Sequence, residues 1–349
     1  MMRHPGRFCA KAVAAATLLL GAGVTLMAPI FPVFLPALAK EPAAEPIVPI
    51  SPGPPQNPRR VALGERLFRD TRLARDGQRS CATCHPLERG GMDGRPRAIT
   101  ADGTLHPRNT PTIFNVGLSA FFNWDGVART LEEHAEIVLL NPSLMNTTWP
   151  ELLAKLRGPG GYLAEFERAY ADGLTRGAVL DALATFERSL QTPNSRFDRY
   201  LRGEDAALSP AEQRGYQRFK SYGCGSCHQG VNVGGNVFQK FGVFPDLLEG
   251  PRPEADLGRY QVTSVSRDRG VFRVPSLRNV AATAPYFHDG RAATLERAVE
   301  TMATVQLGRK LGAEDVASIV QFLRTLTGEY QGRLVATSTP DPRPVTRGE

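Results

Sequence analysis

Cysteine is scarce, with five in 349 residues. Cys9 lies just before the long apolar run Ala12 to Met27 and leaves with that run if it is a cleaved export signal. The other four fall in two pairs, Cys81/Cys84 and Cys224/Cys227, so none is left for a structural disulfide. Acidic charge is also in short supply: 42 Lys and Arg stand against 35 Asp and Glu, a formal charge of +7. Arg3, Arg7 and Lys11 precede the apolar run, and Ala37-Leu38-Ala39 is a small-residue cleavage site, which together make a secretory signal. Pro29, Pro32 and Pro36 lengthen and break its distal part, so an uncleaved membrane anchor is the alternative. Loss of the signal removes three positive charges, so much of the excess is accounted for, which argues against nucleic acid as a partner.

What the chain does have is Cys81-Ala82-Thr83-Cys84-His85, and again Cys224-Gly225-Ser226-Cys227-His228. Two thiols three positions apart can each form a thioether to a porphyrin, and the next imidazole can ligate its iron. One such match also suits half a zinc site or a redox dithiol. Two matches in an exported chain point to two covalently bound haem c groups, and c-type haem is attached outside the bacterial cytoplasm.

The chain divides into 1–39, the signal; 40–60, a Pro-rich, flexible or extended lead-in; 61–203, an N-terminal haem unit; 204–330, a C-terminal haem unit; and 331–349, a tail. Helical spacing is expected over Val61–Phe68, from Thr130 to Leu140, and over Trp149–Leu156, Tyr162–Ala171, Arg176–Leu190, Leu295–Val305 and Glu314–Leu326. Ser209-Pro210-Ala211-Glu212 adds a capping box with proline at the first helical position. Thr192 to Arg202 reads as a connector, and Val231 to Asp268 as loop. The fold class is mainly α: two c-type cytochrome domains, loop-rich, related by an internal repeat. Pro111-Thr112-Ile113-Phe114-Asn115-Val116 pairs with Pro275-Ser276-Leu277-Arg278-Asn279-Val280. Asp125-Gly126 with Asp289-Gly290, and Thr130-Leu131-Glu132 with Thr294-Leu295-Glu296, follow without a gap. In this alignment Trp124 faces His288, so the halves have diverged.

The sixth iron position decides what each haem does: a thioether makes an electron-transfer site, an open position admits a small oxidant. Met302, on the helix after Asp289-Gly290, is either core filling or that thioether. The first half has no methionine at the paired place and offers Met92, His106 or Met145. His106 lies in a loop before Pro107-Arg108-Asn109, and His134 reads as a surface residue on its helix.

These motifs resemble the bacterial dihaem cytochrome c peroxidase family, which includes the MauG enzymes. The resemblance covers about residues 58–330. It rests on Arg108-Asn109-Thr110-Pro111-Thr112, Asn123-Trp124-Asp125-Gly126, Thr192-Pro193-Asn194-Ser195 with Phe197-Asp198, Val274-Pro275-Ser276-Leu277-Arg278-Asn279-Val280, Thr283-Ala284-Pro285-Tyr286-Phe287-His288-Asp289-Gly290 and Gln306-Leu307-Gly308-Arg309. It implies a periplasmic enzyme that reduces hydrogen peroxide with electrons from a small donor, a cytochrome c or a cupredoxin, and that forms a homodimer. It further implies a high-potential haem ligated by His228 and Met302, and a low-potential peroxidatic haem with His85 proximal. Trp124 would stand between the haems to pass electrons. A calcium ion would be held by Asn109, Thr283 and Pro285, hard oxygen donors suited to that cation. Two departures follow from the same match. Ala101 occupies the place of a frequent distal histidine, leaving His106 as the displaced candidate. In Asn141-Pro142-Ser143-Leu144-Met145, Leu144 replaces the family's proton-shuttling glutamate, and a leucine moves no proton. A non-catalytic electron-transfer cytochrome and a MauG-like enzyme that oxidises a partner protein are the rival readings. Met302 speaks against the latter, because MauG carries a tyrosine at that ligand.

Overall fold

The structure is a computed structural model that describes residues 45–244 and 257–336. The export signal, the start of the lead-in and the chain end from residue 337 lie outside the described residues. Among the described residues no helix is long and apolar enough to cross a membrane.

Helices carry the architecture. In chain order they are α1 Pro58–Arg69, α2 Cys81–Cys84, α3 Leu131–Leu140, α4 Trp149–Arg157, α5 Leu163–Ala169, α6 Arg176–Ser189, α7 Arg196–Leu201, α8 Pro210–Ser221, α9 Tyr260–Thr263, α10 Leu295–Leu307 and α11 Ala313–Arg324. Sheet is confined to two short antiparallel pairs. Strands β1 Phe238–Lys240 and β2 Val271–Arg273 pair with Phe238 opposite Arg273; β3 Glu329–Tyr330 pairs with β4 Arg333–Leu334. The expected helices recur within a few residues of their expected ends because their caps are local. Asn57 accepts from the amides of Arg59 and Arg60 at the start of α1, and Ser209 and Glu212 form the reciprocal capping box of α8.

Two helix pairs form the cores beside the two Cys-x-x-Cys-His motifs. Helix α1 crosses α6, burying Leu63, Leu67 and Phe68 in a cluster that includes Phe166 and Phe186. Helix α8 crosses α11, burying Tyr216 and Phe219 against Phe197 and Phe322. Each crossing is closed by a glycine. A Cβ added at Gly64 would lie 2.0 Å from the carbonyl oxygen of Ala182, and one at Gly215 would lie 2.0 Å from that of Ser318.

The segments that the sequence pairs also have matching local geometry. Asn115 stands at φ 59°, ψ 14° and Asn279 at φ 59°, ψ 15°, both in the left-handed region that asparagine tolerates. Gly126 and Gly290 share φ 67°, and the bridge Phe122↔Ala128 is matched by Tyr286↔Ala292. Thr130 caps α3 at φ −125°, ψ 156°; Thr294 caps α10 at φ −124°, ψ 156°.

Of the two alternatives for the lead-in, the described part is extended: Ile47 and Ile50 are fully buried, and Ile47 bridges Gly230, because Arg278 and Asp198 capture its backbone. Three expectations change. The segment 231–268, expected as loop, holds β1 and the short helix α9. The connector 192–202 holds a helix, α7, capped by Ser195. The start of the 331–349 tail is ordered, with Val335 buried in the first cluster and its amide donating to Gly328.

Replacing Gly64 by alanine forces the α1–α6 crossing apart, since the obstructing atom is backbone. The expected cost is about 1–3 kcal/mol of stability, read as a lower denaturation midpoint of the holoprotein with an unchanged denaturant slope.

Candidate functional site

One cavity, with about 2110 Å³ of empty space counted out to its open mouth, is lined by both motif histidines, His85 and His228. Cys224, Cys227, Met302, Trp124, Asn109, Thr283 and Pro285 also face it. Most of the predicted site residues therefore face one cavity. Cys81 and Cys84 sit beside it on α2. His106 does not line the cavity. Its backbone pairs with Ala98, and its Nδ1 accepts from the amide of Arg108 at 3.1 Å. Met92 lines the cavity, whereas Met145 is buried in the first hydrophobic cluster.

The residues fit covalently bound haem. All four cysteines are free thiols. Burial pushes Cys84 and Cys224 up to about 11, and Cys81 higher still, so they stay neutral. His85 contacts the Gly91 carbonyl through Nδ1 at 3.1 Å, and His228 contacts that of Val233 at 3.4 Å. If Nδ1 carries the proton in each, Nε2 is the nitrogen left for iron. Burial lowers both imidazoles, that of His228 to about 4, which favours the neutral, ligating form.

Trp124 is buried and donates from Nε1 to the Asn109 carbonyl at 2.9 Å. It meets its repeat counterpart, His288, edge-on at 6.1 Å, and His288 is stacked on Phe272 at 4.1 Å. The Asn109 amide nitrogen donates to the Arg95 carbonyl at 2.8 Å, which leaves its amide oxygen as the atom able to serve a cation. Arg273 lines the same wall, donates from Nε to the Asn123 carbonyl at 2.9 Å, and is lowered to about 10 by burial.

His134 corrects the expectation of a surface residue. It lines the cavity with its ring 6.1 Å from that of Phe122, and burial, with the charges of His85 and Arg273, lowers it to about 4. The acidic residues around it on α3 point elsewhere: Glu132 pairs with Arg188, and Glu136 with Arg176. The signal was present in the repeat, for His134 pairs with Ala298, which shares a helix face with Met302 four residues on. Glu187 was missed altogether. It lines the cavity, is 7% exposed, and is raised to about 8 chiefly by burial. Its counterpart in Phe322-Leu323-Arg324 is Leu323, also on the wall. Leu144 is half-buried and outside the cavity lining.

Glu187 is protonated in the folded protein over a range where it is ionised in the unfolded chain. Its stabilising contribution is complete below about pH 4.5 and is lost as pH rises towards 8. Glu187→Gln is expected to flatten the fall in unfolding free energy between pH 5 and pH 8, by an amount on the order of a few kcal/mol. Denaturant titrations at the two pH values measure it, and an unchanged slope would show that the carboxyl is not held neutral.

Residues 58–206 match the family model described as di-haem cytochrome c peroxidase. The chain is 42% identical over 293 residues to cytochrome c peroxidase Ccp of Escherichia coli K12, covering 84% of this chain and 63% of that protein, so it spans less than two thirds of that relative's length. It is 42% identical over 288 residues to cytochrome c551 peroxidase of Nitrosomonas europaea, covering 82% of this chain and 85% of that one. Among solved structures it is similar to a MauG-like protein associated with microbial copper homeostasis, with a TM-score of 0.69 and 30% identity, covering 83% of this chain and 95% of that one.

Proposed function

The chain belongs to the dihaem cytochrome c peroxidase family, and from that premise we propose that it is a periplasmic enzyme reducing hydrogen peroxide to water. The electrons come from a small donor, a cytochrome c or a cupredoxin. The observation that carries this reading is the single cavity faced by both His85 and His228, with the Trp124 indole in the same wall. Bound haem supplies the iron at which peroxide is reduced and the path by which electrons reach it.

The chain's own residues set the two ends apart. In the unit 204–330, Cys224 and Cys227 would anchor the group, His228, in contact with the Val233 carbonyl, would ligate its iron, and Met302 on α10, which faces the same cavity, would supply the thioether that makes a high-potential site. In the unit 61–203, the α3 position paired with Met302 is Val138, which packs against the first hydrophobic cluster and has no lone pair to offer. That end, served by Cys81, Cys84 and His85, is left open to peroxide. His106 stands outside the cavity, so a distal role for it requires the loop before Asn109 to rearrange. Trp124, pinned by Asn109, is placed to assist electron passage. Asn109, Thr283 and Pro285 face the cavity together and serve as the calcium-binding group. Leu144 favours one rival, a dihaem electron carrier without turnover.

Mixing the half-reduced holoprotein with hydrogen peroxide in a stopped-flow instrument decides between them. Reoxidation much faster than that of free haem is expected; its absence, with both haems six-coordinate and low-spin, would establish the carrier. Met302→Ala is expected to remove the low-spin signal of the second haem and lower its reduction potential, leaving the first haem's spectrum in place.

A further inference from the structure

We propose that His134 is the acid/base residue of the first haem's peroxide pocket, performing the proton transfer that Leu144 cannot. This rests on the peroxidase reading above. The starting observation is an asymmetry between walls of like geometry. Helices α3 and α10 begin from threonine caps of matching backbone angles and follow matching Asp-Gly turns. At the paired cavity-facing positions the second half has Ala298 and Leu323, and the first half has His134 and Glu187. An apolar pair of positions suits a closed electron-transfer site; at these two positions it is the first half that carries groups able to hold and release a proton. His134 stands one helical turn before the position paired with Met302, so it is on the side of α3 that corresponds to the sixth-ligand side of the second half.

Burial, then the charges of His85 and Arg273, favour the neutral imidazole here. The groups that reach it are His85 from α2 and Arg273 from β2, with Glu187 of α6 lining the same cavity. On its own helix Glu132 and Glu136 are engaged with Arg188 and Arg176, and Glu133 accepts from the Arg129 amide. In the step proposed, one peroxide oxygen gives its proton to His134, and the imidazolium returns it to the other oxygen. The O–O bond breaks with its electron pair leaving on that second oxygen, now water. The first oxygen takes two electrons from the donor and two protons from solvent to become the second water. Overall, one peroxide, two electrons and two protons give two waters.

The test uses the holoprotein with both haems and hydrogen cyanide as probe, a neutral acid that must lose its proton to bind ferric iron. His134→Gln is expected to slow cyanide association at the first haem by about 10²–10⁴-fold, to slow peroxide reoxidation in parallel, and to leave the Met302-ligated spectrum unaltered. In the unsubstituted protein the association rate should drop as pH is lowered through one titration below the ordinary histidine range, as the base becomes protonated; in the variant that titration should vanish. Equal cyanide rates in the two proteins overturn the proposal. So does a first haem that turns from six- to five-coordinate on substitution, which would make His134 an iron ligand. Should the variant fail to load haem, the pH profile of the unsubstituted protein decides, and a flat profile overturns the assignment. If the cyanide response is as expected but peroxide causes no reoxidation, the peroxidase reading fails and the role of His134 as a base stands.

Discussion

The ion pair between Arg278 and Asp198 is the constraint on which the layout depends. Both side chains are essentially inaccessible, at 1% and 0%, and Arg278 Nη1 donates to Asp198 Oδ1 at 2.7 Å. A buried guanidinium is costly unless its donors are satisfied, and here they are spent on position. Nε donates to the Val231 carbonyl, three residues after His228, and Nη2 to the Val48 carbonyl of the lead-in. Asp198, held on α7 by the Ser195 cap, also receives the Ile50 amide. One pair thus ties the lead-in, the connector helix, the loop after the second haem motif and the segment 275–280. Desolvation lowers the Arg278 pKa, with Asp198 opposing that fall. Removing either partner would strand a buried charge and release four segments together.

A second polar knot joins the paired segments. Asn115 donates to the Thr192 hydroxyl at 2.7 Å and accepts from the Thr192 amide at 2.8 Å. Asn279 donates to the same hydroxyl at 3.0 Å and accepts from the Gly328 amide at 2.9 Å. The two asparagines adopt the same left-handed conformation and meet at one threonine, buried to 1%. Each then sends its backbone amide to the leucine ending the neighbouring helical segment, Leu190 for Asn115 and Leu326 for Asn279. The motifs Thr192-Pro193-Asn194-Ser195 and Leu277-Arg278-Asn279 therefore earn their prominence as joints. Leu277 lines the cavity, while the polar side chains of these joints are spent on holding the segments together.

Legibility followed the range of the interactions. Capped helices such as α8 and α10 were readable because Ser209, Glu212 and Thr294 act within one turn. The Cys-x-x-Cys-His motifs were readable because their spacing is itself chemical, whereas Met302 stood open between core filling and ligation until the resemblance singled it out. Helix α7 was not, since Ser195 and Asp198 look like loop residues until Arg278 arrives from 80 positions away. The lead-in stayed open between flexible and extended for the same reason: its proline-rich composition is that of a linker, and its order comes from partners remote in sequence. His134 and Glu187 show a subtler limit. A charged or titratable residue on an amphipathic helix is ordinarily on the wet face, and an aqueous or cofactor-lined cavity inside the protein reverses that inference without altering the helical pattern.

That reversal bears on how one frame can serve two different haems. If the frame alone dictated behaviour, the equal caps, turns and glycine-closed crossings of the two halves would yield two equivalent centres. The halves differ in a few side chains on equivalent helices: Met302, Ala298 and Leu323 line the cavity from one, while at the paired positions of the other Val138 packs against the first hydrophobic cluster and His134 and Glu187 line the cavity. A thioether brought to an iron makes it a carrier, and an apolar surround keeps protons away from it. With valine at the thioether's position, the paired site has no ligand from that residue, and the histidine and glutamate near it are the kind of groups that reduction of an oxygen–oxygen bond requires. The loss of a carboxylate at Leu144 therefore need not be a loss of proton handling, because the capacity for it is present on α3 and α6, facing the same cavity.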